Sequence, residues 1–177
     1  MSQQHIELWK QAAQAFDQRH SMLDASQMQA ATPCNGWCVE ELVQHAMGTQ
    51  TGMAAPLVNA EVAEGAEWPA VRDAMNAALE VEGALDGMTN HPAFGEVPKS
   101  MLLGIATGDL LLHSWDLARA IGADETLPAE AVQAVHMGLQ QFPEEVMRGE
   151  GMFGPALEAP ADADAQSQLL AFAGRQV

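Results

Sequence analysis

The segment DLLLHSWDLARA, residues 109–120, places a carboxylate four residues before an imidazole. In a helix, residues at i and i+4 project from one face, so Asp109 and His113 could direct two donor atoms at one point. Zinc and related cations accept this pair of donors, and catalytic zinc sites use three protein ligands. The spacing indicates two ligands of a metal site. The alternative is a histidine that is hydrogen-bonded within a helical core.

His45 is the candidate for the third ligand. It lies among Leu42, Val43 and Ala46 in a segment with helical periodicity, so its face of the helix is expected to point inward. Sites in helical bundles are built from facing helices. His91, in an expected loop, is the reserve ligand. His91 is also predicted to lie on the surface, and so are the three remaining histidines: His5, His20 and His136.

Several neighbouring residues have structural interpretations. Cys34 and Cys38 have a spacing that fits neither a redox pair nor a zinc knuckle, and they are predicted to be small buried thiols. Asp116 and Arg119 are spaced to pair with each other. Asp116 also lies three residues after His113, which favours a role in orienting that histidine.

Two pairs of residues are expected to serve packing. Trp37 and Trp115 are interpreted as core aromatics. Gly104 and Gly108 form a stripe without side chains beside Asp109, which could leave room for a substrate or allow close helix packing. Packing is the preferred interpretation.

Apolar residues at spacings of three and four predict helices and no strand. The helices are expected over residues 4–22, 38–58, 67–85 and 98–122, with shorter ones over 127–143 and 163–175. Pro56 is a point where the second can kink or end, Pro98 suits a first turn, and Gly122 suits a C-terminal cap. Segments 89–98 and 147–163 are predicted loops. The predicted fold is all-α, with four long helices in one domain over residues 1–177 and short C-terminal additions.

The charge limits the partners. With 24 acidic and 7 basic residues, the formal charge of −17 repels nucleic acid and anionic lipid, so neither is an expected partner. The apolar stretch from Met101 is interrupted by charged residues, as in a core helix and unlike a membrane span. Two cysteines and a polar N-terminus predict a cytoplasmic protein. Small molecules are the expected partners, and the sequence leaves open whether the protein forms a homodimer.

Four separated segments resemble a known family: TPCNGWCVEELVQHAMG, HPAFGEVP, LLLHSWDLARAIG and LLAFAGR. They are similar to DinB-like metal-binding proteins related to the N-terminal domain of mycothiol-dependent maleylpyruvate isomerase. The resemblance implies a four-helix bundle of DinB/YfiT-like topology. It also implies a divalent metal, zinc or nickel, held at the positions of His45, Asp109 and His113. The relatives usually carry glutamate where this sequence has Asp109.

The resemblance further implies a metal-dependent enzyme that uses a low-molecular-weight thiol as co-substrate, for thiol transfer or thiol-assisted isomerisation. The isomerase continues into a further domain that contributes to its active site, whereas this sequence ends at Val177, so a different reaction is expected. Arg72, Arg119 and Arg148 are the candidates to bind polar groups of the thiol. Two alternatives are a metal-dependent hydrolase and a non-catalytic metal-binding bundle.

Overall fold

The computed structural model describes residues 2–92, 94–149 and 153–177, and its fold is mostly helical with one small antiparallel hairpin. The strands are β1 (Met88–His91) and β2 (Gly95–Pro98). The helices are α1 (Ser2–His20), α2 (Val39–Thr49), α3 (Ala55–Leu57), α4 (Trp68–Leu79), α5 (Lys99–Ile121), α6 (Ala129–Leu139), α7 (Glu144–Arg148) and α8 (Ala165–Phe172).

Helix α5 lies at the centre of the fold, as its apolar composition predicts. Every residue from Leu110 to Ala118 is buried. Helices α1, α2 and α6 pack against it, and α1 does so most extensively. Gly122 ends the helix in the left-handed conformation, with φ +69°, which a residue without Cβ adopts at no steric cost. Because the helix is buried on all sides, its polar side chains must find partners inside the protein.

The hairpin corrects the predictions of a loop over residues 89–98 and of an all-α chain. Thr89 pairs with Val97 and Met88 with Pro98 in antiparallel register. Each strand has only four residues, and in β2 only Val97 is buried, so no alternating pattern could develop. Strand β2 leads directly into α5, and Pro98 is therefore the residue before the first turn of that helix.

The segment predicted as one helix over residues 38–58 is divided into α2, a π-helical turn (Gln50–Ala54) and α3. Buried Gln50 explains the position of the turn. Its side-chain oxygen accepts from the Trp9 indole at 2.9 Å, and its amide nitrogen donates to the Ala106 carbonyl at 3.1 Å. One uncharged side chain thus connects the π-helical turn with both α1 and α5.

The remaining helices differ from the predictions mainly in length. Helix α1 begins and ends two residues before its predicted bounds, α4 ends at Leu79 rather than residue 85, and α6 and α8 are shorter than predicted. Helix α7 begins just after Pro143 and extends into the segment predicted as a loop. None of the helices in the described ranges has the length and apolar character needed to cross a membrane.

Candidate metal centre

Three side chains from two helices form what we call the outer cluster: His45 on α2, and Asp109 and His113 on α5. Their donor atoms all lie within 4.8 Å of one another. His45 Nε2 lies 3.2 Å from Asp109 Oδ1, and His113 Nε2 lies 3.6 Å from the same oxygen. The structure therefore brings together the three residues that the sequence singled out.

A second group, which we call the inner cluster, lies on the other side of the His113 ring. It consists of Cys34, His113, Asp116 and Arg175. His113 Nδ1 lies 3.0 Å from Asp116 Oδ2, and the Cys34 thiol donates to the same oxygen at 3.3 Å. Arg175 donates to both Asp116 oxygens, at 3.2 and 2.8 Å. The Asp116 side chain is fully buried, so all of its hydrogen bonds are made within the protein.

Two groups of the inner cluster, Asp116 and Cys34, have strongly shifted pKa values. Burial alone would raise the pKa of Asp116, but the hydrogen bond with His113 and the Arg175 guanidinium hold it at about 2. Burial, together with the neighbouring Asp116 carboxylate, raises the pKa of the Cys34 thiol to about 12. Asp116 is therefore an anion and Cys34 a neutral thiol at neutral pH.

These contacts determine which nitrogen of His113 is available. An ionised carboxylate can only accept hydrogen bonds, so Nδ1 of His113 carries the proton that it shares with Asp116. In the neutral ring, the Nε2 atom is then the nitrogen with the lone pair, and it faces the outer cluster. Ligand histidines in metalloproteins are oriented in this way, with the second ring nitrogen donating to a carboxylate.

The outer cluster lacks one polar contact that a cation would supply. Asp109 Oδ2 is buried and has no hydrogen-bond partner within the described parts of the chain. Zinc bonds of about 2.0–2.2 Å in tetrahedral geometry put neighbouring donors about 3.3–3.6 Å apart. The distance of 3.6 Å from Asp109 Oδ1 to His113 Nε2 lies within that range, and the distance of 3.2 Å to His45 Nε2 is just below it. In the absence of a cation, the hydrogen bond with Asp109 raises the pKa of His45, because it favours the protonated ring.

Trp37 covers the two imidazoles, which corrects its interpretation as an ordinary core residue. Its ring centroid lies 4.6 Å from that of His45 and 5.8 Å from that of His113, and the side chain is partly exposed.

Trp115 is buried, as predicted. Gly108 packs closely against α6, since a Cβ there would lie 3.3 Å from Val135, whereas Gly104 faces open space.

The structure differs from two predictions: the pairing of Asp116 with Arg119, and the burial of the two cysteines. Asp116 pairs with Arg175, and Arg119 instead binds Glu125 at 2.7 Å. Cys34 and Cys38 are only partly buried. The closing segment LLAFAGR contains Arg175, but nothing in its spacing indicated a partner 59 residues away.

The other candidate residues lie elsewhere. His91 belongs to β1 and stacks on Phe94, outside both clusters. The remaining histidines are partly buried rather than fully on the surface: His5, His20 and His136. Arg72 forms ion pairs with Asp17 and Asp73, and Arg148 forms one with Glu144. Each arginine proposed for thiol binding thus already has an acidic partner.

Comparison with known proteins gives a match to a family model and two relatives that align over most of their length. Residues 9–93, which include His45 and precede α5, match the mycothiol maleylpyruvate isomerase N-terminal domain. Two proteins from two strains of Mycobacterium tuberculosis, both described as uncharacterized, are each 31% identical over 175 residues. The alignment covers 95% of this chain and 96% of each relative. No solved structure gives a significant match.

Proposed function

The chain belongs to the DinB-like family of the mycothiol maleylpyruvate isomerase N-terminal domain, and on that premise we propose that it binds one divalent cation and uses a low-molecular-weight thiol as co-substrate. The cation, zinc or nickel, is held by His45, Asp109 and His113. The proposal includes a single domain over residues 1–177 whose long helices form a four-helix bundle of DinB topology. The reaction class is thiol transfer or thiol-assisted isomerisation.

The observation that carries the proposal is the Asp109 carboxylate. Its Oδ1 lies at ligand spacing from the two imidazoles, and its Oδ2 is buried with no hydrogen-bond partner among the described residues. Leaving a buried carboxylate oxygen unpaired costs about 1–3 kcal/mol. A cation between the three residues offsets that cost. Residues that serve only to stabilise the fold would give the oxygen a hydrogen-bond donor.

The inner cluster is a poorer cation site, although Cys34, His113 and Asp116 also have donor atoms within 4.8 Å of one another. Its carboxylate already accepts from three side chains, one of which is the guanidinium of Arg175. A second positive charge would be repelled by Arg175. In addition, the raised pKa of Cys34 opposes formation of the thiolate that metals bind.

The protonated thiol of Cys34 supports a reaction in which the reactive thiol is supplied by a co-substrate. A bound divalent cation supplies a Lewis acid that lowers the pKa of a thiol or a water molecule. Cys34 lies 3.8 Å from His113 Nδ1, but with a pKa of about 12 it is not a nucleophile at neutral pH. Thiol chemistry at this site would therefore use a thiol brought by a co-substrate. Trp37 covers the two imidazoles on one side.

The first test is the metal content of the purified protein, measured by inductively coupled plasma mass spectrometry. We expect one equivalent of divalent metal in the wild type and none in His113→Ala, because His113 presents its lone pair to the outer cluster. His20→Ala is the matched control, since His20 stacks on Phe16 outside both clusters and should leave the metal content unchanged. Equal metal content in the two variants would refute the assignment.

The second test separates thiol chemistry from hydrolysis. Cobalt-substituted protein is titrated with mycothiol, bacillithiol and glutathione, and a new charge-transfer absorption is expected on sulfur coordination. If no thiol changes the spectrum and the metal-loaded protein cleaves an ester or amide, the hydrolase alternative replaces the proposal. If neither result is obtained, the protein binds metal without catalysis.

A further inference from the structure

Arg175 connects the C-terminal segment with the inner cluster. Its Nε donates to Asp116 Oδ1 at 3.2 Å and its Nη2 to Asp116 Oδ2 at 2.8 Å. The arginine side chain is 12% exposed and the aspartate is fully buried. This two-point contact is the strongest common geometry for a guanidinium and a carboxylate, and it fixes orientation as well as charge.

The backbone around Arg175 is held in place. Its amide donates to the Leu170 carbonyl at 2.8 Å, and its Nη1 donates to the Ala173 carbonyl at 2.9 Å. Gly174, just before it, has φ +79°, and a Cβ there would lie 3.1 Å from the Pro155 carbonyl oxygen. The turn after α8 therefore requires glycine and directs the guanidinium inward.

The two-point contact also orients Asp116 toward His113. Oδ1 is occupied by Arg175, and Oδ2 faces His113 Nδ1 and the Cys34 thiol. Without Arg175 the carboxylate would be a buried charge lacking a cationic side-chain partner, and nothing else described would hold Oδ1. The carboxylate could then turn, and His113 would lose the acceptor that keeps its proton on Nδ1.

We propose that Arg175 is a positioning residue of the metal centre. By clamping Asp116, it keeps the His113 proton on Nδ1 and so presents Nε2 to the outer cluster. The statement about metal affinity rests on the proposed function, whereas the statement about the His113 tautomer does not. Among the contacts described, Arg175 forms no hydrogen bond with His45 or Asp109, although its charge also interacts with the Asp109 carboxylate. Its hydrogen-bonded link to the metal centre therefore runs through Asp116.

The test uses full-length Arg175→Gln and Arg175→Lys, with Arg119→Gln as the matched control. Arg119 donates to the Gln176 carbonyl beside Arg175, and its other described contacts are with Glu125 and Trp115 rather than with Asp116. Two quantities are measured. One is the His113 tautomer in metal-free protein, from long-range proton–nitrogen NMR correlations. The other is the zinc dissociation constant, from competition with a chelating dye.

In Arg175→Gln we expect part of the His113 population to move its proton to Nε2, and zinc binding to weaken about 10- to 100-fold. Arg175→Lys keeps the charge without the two-point contact, so its changes should be smaller in the same direction. Arg119→Gln should match the wild type. An unchanged tautomer and zinc affinity in folded Arg175→Gln would overturn the proposal.

Circular dichroism establishes whether Arg175→Gln folds. If it does not fold, Arg175→Lys decides the question, and wild-type values for both measurements in that variant overturn the proposal. If the wild type binds no zinc or other divalent cation, the proposed function fails. The tautomer measurement in metal-free protein still tests the role of Arg175.

Discussion

The outer and inner clusters share the imidazole of His113 but differ in how completely their polar atoms are paired. In the inner cluster, Asp116 is fully buried and accepts from His113, Cys34 and Arg175. In the outer cluster, one Asp109 oxygen has no hydrogen-bond partner among residues 2–92, 94–149 and 153–177, and the His45 side chain is 41% exposed. The comparison indicates that the inner cluster stabilises the fold and orients His113, whereas the outer cluster is arranged for a ligand.

The largest effect on stability is expected from Asp116→Ala. It leaves the Arg175 guanidinium buried without its carboxylate, which costs about 3–5 kcal/mol for a broken buried pair. It also removes the acceptor of His113 Nδ1, so metal affinity should fall about 10- to 100-fold. Urea unfolding with and without metal measures both effects. If the variant is as stable as the wild type, the inner cluster does not stabilise the fold.

Removal of the metal should give the next largest effect. Chelation should lower the free energy of unfolding by about 2.7 kcal/mol relative to protein with free metal at 100 times its dissociation constant. The apo-protein should still unfold cooperatively, because the long helices bury an apolar core without the metal. Thermal melts with and without chelator test this. A non-cooperative apo-protein would favour a structural metal.

Asp109→Asn should separate stability from function. The change relieves the cost of about 1–3 kcal/mol for an unpaired buried carboxylate oxygen and gives up the ion pair with the exposed His45, which contributes about 0–1 kcal/mol. The apo-protein should therefore be at least as stable as the wild type. Metal binding should be lost, because the amide is a poor ligand. Chemical denaturation and metal analysis are compared with those of Asp116→Asn, which should be clearly destabilised. Similar stability losses in both variants would contradict the distinction between the clusters.

The last prediction concerns the reactivity of the Cys34 thiol and involves no change in the stability of the fold. Burial and Asp116 raise the pKa of its thiol to about 12, so the thiolate fraction at pH 8 is very small. We expect iodoacetamide to modify Cys34 in the Cys38→Ser variant far more slowly than a free cysteine peptide, as followed by mass spectrometry. Rapid modification at pH 8 would show that the inner cluster is more open than the contacts indicate.

The sequence predicted those features that depend on local spacing. The separation of Asp109 from His113 places both on one face of α5, and the apolar residues around them predict a central helix. The association of His45 with them followed from its helical surroundings and from the family resemblance. By contrast, the π-helical turn at Gln50 depends on two partners in other helices, and periodicity carries no signal for it.

The three-residue spacing indicated the contact of Asp116 with His113, but the rest of the inner cluster could not be predicted because its contacts join distant segments. Cys34 and Arg175 reach Asp116 from positions 82 and 59 residues away. The nearby Arg119 was the obvious partner by spacing, but Glu125 lies at the end of its side chain instead. A three-residue spacing permits a pair on a helix, and the tertiary packing determines whether the pair forms. The hairpin escaped prediction for a different reason, since four-residue strands are too short to show alternation.

The three side chains of the outer cluster differ in solvent exposure, and this difference sets the order in which they would bind an arriving cation. The exposed fraction of the side chains falls from 41% for His45 to 19% for Asp109 and 8% for His113. An arriving cation would meet His45 while most of its hydration shell is intact, and it would exchange water for Asp109 and then for His113 as it moves inward. Release would reverse this order, with the break from His113 first, so the dissociation rate should depend on the buried ligand and the capture rate on the exposed one.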